Sequence, residues 1–303
     1  MKKENFFGYE AYTFGNEELQ VCVITLGATV YSIRYKGRET VLNYPDAQGY
    51  LDGTAFINAA IGRYGNRIGD ARFSLNGKEY LLVPNEGKNQ LHGGPMSYDK
   101  RVWQAEVLGE NSVRMSIFSP DGDNGFPGNL TAGVTYSVEG STLRMDFDGV
   151  SDADTVYAPT SHLYFNLDDS DSVLDHKMWI NSKGWLEVDE GLIPTGTVLP
   201  TEGDFDFSTL RTIGVNFDHC FTLEGEHACT AQAGNIRMDM YTDFPAMQMY
   251  TGSAMGAPHG VNKGLALEPE SYPDSPNKPQ FPSTTLRAGE KFHKYARFVF
   301  SEV

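Results

Sequence analysis

Cysteine, cationic side chains and long apolar runs are all scarce in this chain. Its 303 residues include 3 cysteines, Cys22, Cys220 and Cys229, odd in number and far apart. Neither a disulfide framework nor a CxxC metal knuckle can be built from them, and buried free thiols are expected. Lys and Arg total 24 against 40 Asp and Glu, a net charge of −16. Polyanion binding rests on basic side chains that neutralise phosphates, so this balance argues against nucleic acid and anionic membrane surfaces as partners. Nothing approaches the ~20 consecutive apolar residues of a membrane span. Met1 to Asn5 carries charge with no apolar run behind it, so no signal peptide is expected. These absences leave a soluble cytoplasmic protein whose partner is a small neutral molecule.

Several chemistries lack their signatures as well. Asp121-Gly122-Asp123-Asn124-Gly125 begins like a calcium loop, but the sixth and twelfth positions are Phe126 and Ala132 rather than Gly and Glu. It reads as a turn. Gly252-Ser253-Ala254-Met255-Gly256 has neither the phosphate-loop nor the dinucleotide spacing. HExxH, GxSxG and Cys-His nucleophile patterns are missing, so no metal and no cofactor is expected.

What is present is alternation. Leu130, Ala132, Val134, Tyr136 and Val138 share one side of a strand, and Leu143, Met145 and Phe147 follow after the Glu139-Gly140 turn. That pattern predicts a hairpin with one wet face. Val113, Met115 and Ile117 repeat the period, as do Phe292, Lys294, Ala296, Phe298 and Phe300. Asn76-Gly77 predicts a tight hairpin turn. Helical periodicity is confined to short candidates at Asn58 to Ile61 and Ser208 to Ile213. With 40% hydrophobic residues, and with Gly and Pro spread throughout, the chain predicts an all-β fold. The form expected is one large antiparallel β-sandwich occupying residues 1–303 as a single domain.

Three polar segments interrupt these apolar strands with titratable groups. The first joins Arg63, Asn66 and Arg67 to the His92-Gly93-Gly94 turn. The second surrounds His162, and the third runs from Glu268 and Glu270 to Tyr272, Asp274 and Asn277. Taken singly, each His is an ordinary hydrogen-bonded strand-end residue and each Glu an exposed strand residue. Together they supply two imidazoles, a carboxylate and a guanidinium that no metal motif claims.

The stretches GRYGNRI, NQLHGG, SPDGDNGFPG, SHLYFNL, FDHCF and ALEPESYPDSPNKPQFP resemble, in content and order, those of the galactose mutarotase (aldose 1-epimerase) family. The resemblance runs from Leu26 to the last strand. It implies the galactose mutarotase-like supersandwich and interconversion of the α and β anomers of a free monosaccharide such as galactose, without a cofactor. Carried over residue by residue, it makes Glu268 the base on O1, His162 the acid on O5 and His92 the assisting donor at O5. Arg67, Asp218 and Asn66 become substrate-binding residues. One position departs: the family commonly has Gln two residues after the catalytic Glu, where this chain has Glu270. The alternatives are a hexose-6-phosphate 1-epimerase, for which Arg63 and Arg101 are candidate phosphate ligands, and a sugar-binding domain without chemistry, which would have lost one of the three catalytic groups.

Overall fold

Four long strands that alternate between apolar and polar positions, Ser112–Ser119, Leu130–Glu139, Thr142–Ser151 and Lys291–Glu302, form the heart of a nine-stranded sheet that organises the chain. The computed structural model describes residues 1–303. The hairpin Leu130–Glu139 and Thr142–Ser151 forms as expected, with Leu130 opposite Ser151 and Glu139 opposite Thr142. Ser112–Ser119 pairs on one side and Lys291–Glu302 on the other. Ile236–Thr242, His227–Ala233 and Lys177–Ile180 continue the sheet, all antiparallel. Asn76 and Gly77, both at positive φ, turn Arg72–Leu75 into Lys78–Leu81.

A six-stranded sheet carries the chemistry. Asp218–Thr222, Ala246–Tyr250 and Leu265–Glu270 lie side by side within it, antiparallel. Strand side chains alternate between faces, and here the two faces have different jobs. Phe221, Met247, Met249, Leu265 and Leu267 enter the main core, where they join Met145, Phe147, Met238 and Phe298 of the nine-stranded sheet. Gln248, Glu268 and Glu270 therefore fall on the opposite face. Register aligns Cys220 with Gln248 and Gln248 with Glu268 in one row across three strands. An N-terminal five-stranded meander, from Lys2–Phe6 to Arg38–Glu39, adds Val21, Val23, Val30 and Ile33 to the same core.

Neither helix candidate forms. Ser208 to Ile213 contains only the two-residue strand Arg211–Thr212. Asn58 to Ile61 becomes a crossing point in place of a helical turn, because Asn58 sits at φ +54° and spends its side chain on two other segments. Its amide donates to Leu42 O at 2.5 Å, its Oδ1 accepts from Tyr164 N at 2.8 Å, and its own N–H donates to His162 O at 3.0 Å. Local hydrogen bonding of this kind by Asn competes with helix formation. The single α-helix, Ala47–Asp52, is capped by Asp46, which accepts from Gly49 N at 2.9 Å. Six residues are too few to show a helical period.

Asn58 thereby fixes the backbone at His162 and at Tyr164 just after it. Asn58→Ala strands a buried carbonyl and a buried N–H, which cost about 1–3 kcal/mol each. Urea unfolding is expected to show the variant destabilised by about 2–4 kcal/mol, with its unfolding slope unchanged.

Candidate active site

The outward face of the six-stranded sheet, two crossing loops and a glycine-rich segment enclose a pocket of about 740 Å³. Its polar floor consists of Asn66, Arg67, His92, His162, Asp218, Gln248 and Glu268. The structure thus brings together every residue assigned to the site from sequence. Ring-atom and carboxylate donors of His92, His162 and Glu268 lie within 4.8 Å of one another. A divalent cation entering the pocket would meet these three groups. They stand on three separate segments with no metal-binding sequence spacing, and we read them as a proton-handling cluster.

His92 is held by its own turn. Gln90–Leu91 pairs with Arg67–Ile68, and His92 N donates to Asn66 O at 3.0 Å. Asn66 N returns a bond to His92 Nδ1 at 3.0 Å. An Nδ1 that accepts from a backbone N–H carries no proton, so Nε2 holds it in the neutral ring. Burial, then the neighbouring His162 and Arg67, push the His92 pKa well below its usual value. His92 is therefore a neutral ring with Nε2 as its donor. The glycine after it is obligatory: at Gly93, φ +87°, a Cβ would come within 2.1 Å of Gly62 O.

His162 Nε2 lies 3.5 Å from Glu268 Oε1, and both side chains are almost wholly buried. Neither His162 Nδ1 nor Glu268 Oε2 has a hydrogen-bond partner. Burial lowers the His162 pKa to about 3. Glu268 moves the other way, well above the usual carboxylate range, because of burial first and then the nearby Glu270 and Asp218, with Arg67 opposing. Burial therefore disfavours charge on either member of the pair: the imidazole releases its extra proton readily and the carboxyl retains its own.

Arg67 forms a two-pronged bridge to Glu86, Nε to Oε2 at 2.6 Å and Nη2 to Oε1 at 2.8 Å, which fixes its plane against the pocket. Gln248 Nε2 donates to Asp218 Oδ1 at 2.5 Å. Asp274 braces this corner from behind, since Gly69 N donates to its Oδ1 at 3.0 Å and Asp274 N to Arg67 O at 2.9 Å. Glu270 does not point to solvent: it is buried beside Asn66.

Arg63 and Arg101 are not available to a phosphate. Arg63 is buried and donates to the carbonyls of Ser119, Pro127 and Gly128. Arg101 is paired with Asp123 at 2.6 Å, which gives the Asp121 to Gly125 turn its purpose. Arg67 is the only Lys or Arg that lines the pocket.

Sequence reasoning missed part of the wall. Phe56 lies edge-on to His92, with ring centroids 4.7 Å apart, and Tyr44, Tyr250 and His259 line the same pocket. Gln248 was detectable as the one polar side chain in the apolar strand Ala246–Tyr250. The glycine-rich Gly252 to Gly256 segment supplies Ser253, Ala254, Met255 and Gly256 to the wall, a role that its lack of nucleotide spacing did not suggest.

A β-sandwich whose pocket gathers a buried carboxyl from a sheet face, two imidazoles from neighbouring segments and further polar groups defines an acid–base enzyme class. The aldose 1-epimerase family matches residues 10–298, and the chain belongs to that family. It is 36% identical to galactose mutarotase from Mus musculus, which covers 96% of this chain and 94% of that protein. Identity to aldose 1-epimerase from Escherichia coli K12 is 35%, over 94% of this chain and 93% of that one. Among solved structures, a GalM/aldose epimerase homologue from C. elegans superposes with a TM-score of 0.94 at 26% identity, covering 97% of this chain and 99% of that chain. Galactose 1-epimerase from Lactobacillus acidophilus gives 0.89 at 26% identity, over 100% and 98%.

A proton-handling reading of the cluster has a direct consequence. Dialysis against a chelator is expected to leave the catalytic rate unchanged; a rate that vanished and returned with a divalent ion would reassign the three groups to a metal.

Proposed function

We propose that the chain interconverts the α and β anomers of a free aldohexose such as galactose through the one-proton pair Glu268–His162. The observation that carries this reading is the 3.5 Å approach of two buried, otherwise unpartnered proton-binding groups in a pocket lined for hydroxyls. Ring opening removes a proton from the anomeric O1–H and delivers one to O5 as C1–O5 breaks. A seated sugar points its O1–H at the Glu268 carboxylate, and hydrogen bonding to the charged form favours that form. The proton on Glu268 then passes across to His162, which becomes the acid for O5. Glu268, now ionised, takes the proton from O1. His92 donates from Nε2 to O5 and stabilises the negative charge that builds there. Closure on the other face of C1 runs the same transfers backwards.

Between the two steps the open-chain aldehyde must rotate about C1–C2, so C1 has to stay loosely held. Arg67, Asn66 and Asp218 answer this by gripping hydroxyls on the remainder of the ring, with the Arg67 fork pre-set by Glu86. A pocket of about 740 Å³ leaves room for the rotation. A phosphosugar finds no partner here beyond Arg67, and a non-catalytic binding domain would not need the pair. We take residues 1–303 as one catalytic domain acting in the cytoplasm; no helix is long and apolar enough to cross a membrane.

Polarimetry on freshly dissolved α-D-galactose, against glucose and glucose 6-phosphate, tests the reading. Acceleration with the free sugars is expected, and a preference for the phosphosugar would overturn it. Glu268→Gln and His162→Asn should each lower kcat by ~10²–10⁴-fold. Their double variant should be little worse than the poorer single, because either loss already breaks the relay. The rate profile should be bell-shaped, its acid limb marking a second proton on the pair and its alkaline limb the loss of the only one. A Glu268→Gln protein that keeps a tenth of the wild-type rate, against that ~10²-fold minimum loss, would end the assignment.

A further inference from the structure

Glu270 is a second buried carboxyl, placed behind Asn66 of the pocket lining, and the reaction described above gives it no part. Along Leu265–Glu270 it shares the face of Glu268, because residues two apart on a strand point the same way. It is as buried as Glu268, at 2% exposure each. Unlike Glu268, it has donors. Asn66 Nδ2 lies 3.3 Å from Oε1 and 3.4 Å from Oε2. Cys220 lies beyond the intervening strand Ala246–Tyr250, close enough for the two groups to influence each other's titration. The same Asn66 uses its backbone N–H to fix His92 Nδ1. A chain of contacts therefore runs from Glu270 through Asn66 to the ring that faces O5.

We propose that Glu270 is a positioning residue for this reaction, which sets Asn66 and thereby His92 while its charge keeps the shared proton on the Glu268–His162 pair. The proposal rests on the reading of Glu268 and His162 as the acid–base pair. Every charged or titratable group around Glu270 bears on the sign. Glu268 on its own strand and Asp218 on Asp218–Thr222 oppose a further negative charge. Arg67 favours one, as does the nearby Cys220 thiol, and Asn66 supplies hydrogen bonds that suit it. Because Glu270 has such donors and Glu268 has none, Glu270 ionises first. Burial still pushes it up to about 8 from an ordinary 4.5. Once ionised, it makes the loss of the remaining proton from Glu268 harder, and this holds the pair in its one-proton form to higher pH. A Gln at this position would keep an acceptor for Asn66 and carry no charge.

The test compares Glu270→Gln with Glu270→Ala in the full chain, using galactose and following kcat/KM against pH. Glu270→Gln keeps the contact to Asn66 and loses the charge, so its alkaline limb should move to lower pH by ~1 unit while KM stays near the wild-type value. Glu270→Ala loses the contact too, and its kcat should fall ~10–100-fold as His92 is released from register. A merely structural side chain would leave the alkaline limb in place in Glu270→Gln, and that result overturns the proposal. If Glu268→Gln is inactive while the Glu270→Gln limb does not move, only the role of Glu270 fails; if Glu268→Gln remains active, the acid–base reading itself fails. Thermal unfolding supplies a readout independent of catalysis. A raised carboxyl pKa makes the folded state lose stability as pH climbs from about 4.5 towards about 8. The melting temperature of Glu270→Gln should therefore gain on wild type across that window. A constant difference would show that the Glu270 carboxyl titrates alike in the folded and the unfolded chain, feeling none of the neighbours invoked here, and would also overturn the proposal.

Discussion

A carboxyl group taken out of water with no hydrogen-bond donor is costly in its charged form, and the arrangement around Glu268 depends on that cost. Burial and the neighbouring carboxyls raise its proton affinity while the same burial strips His162 of its own. Neither group can ionise alone without penalty, yet at 3.5 Å they can exchange one proton. In the proposed reaction a sugar hydroxyl would supply the missing donor, and the acid and the base would be created together where they are needed.

The fold makes this pairing possible by giving the two faces of one sheet opposite surroundings. Phe221, Met247, Met249, Leu265 and Leu267 lock three strands onto the nine-stranded sheet, so the alternate positions, Gln248 and Glu268 among them, are presented with little freedom. His162 comes from a different segment, and Asn58 joins that segment to the rest through three hydrogen bonds. His92 comes from a third, fixed by reciprocal bonds with Asn66. The relative placement of the three groups therefore rests on backbone crossings outside the regular strands.

Much of this was legible in the sequence, for identifiable reasons. Period-2 alternation located Leu130–Glu139, Thr142–Ser151 and Lys291–Glu302, since a strand with one wet face must alternate. The motif residues His92, His162, Glu268, Arg67, Asn66 and Asp218 do line one pocket. Asn58 to Ile61 misled because an apolar run with one Asn looks the same whether the amide faces water or crosses to Leu42 and Tyr164. Phe56 and Tyr44 carry no local signal, because their place in the wall is decided by the fold of distant segments. The direction of Glu270 was equally invisible: an acidic residue two places after Glu268 could have pointed either way until the strand was packed against Asn66 and Cys220.

Infrared difference spectroscopy gives the most direct view of where the shared proton rests. At neutral pH the sugar-free protein should show the carbonyl stretch of a neutral buried carboxylic acid that is absent from Glu268→Gln. Saturating galactose should remove that band and replace it with a carboxylate signal, as the proton moves to His162. A Glu268 band unchanged by the sugar, or a Glu268 already ionised before sugar is added, would contradict the account.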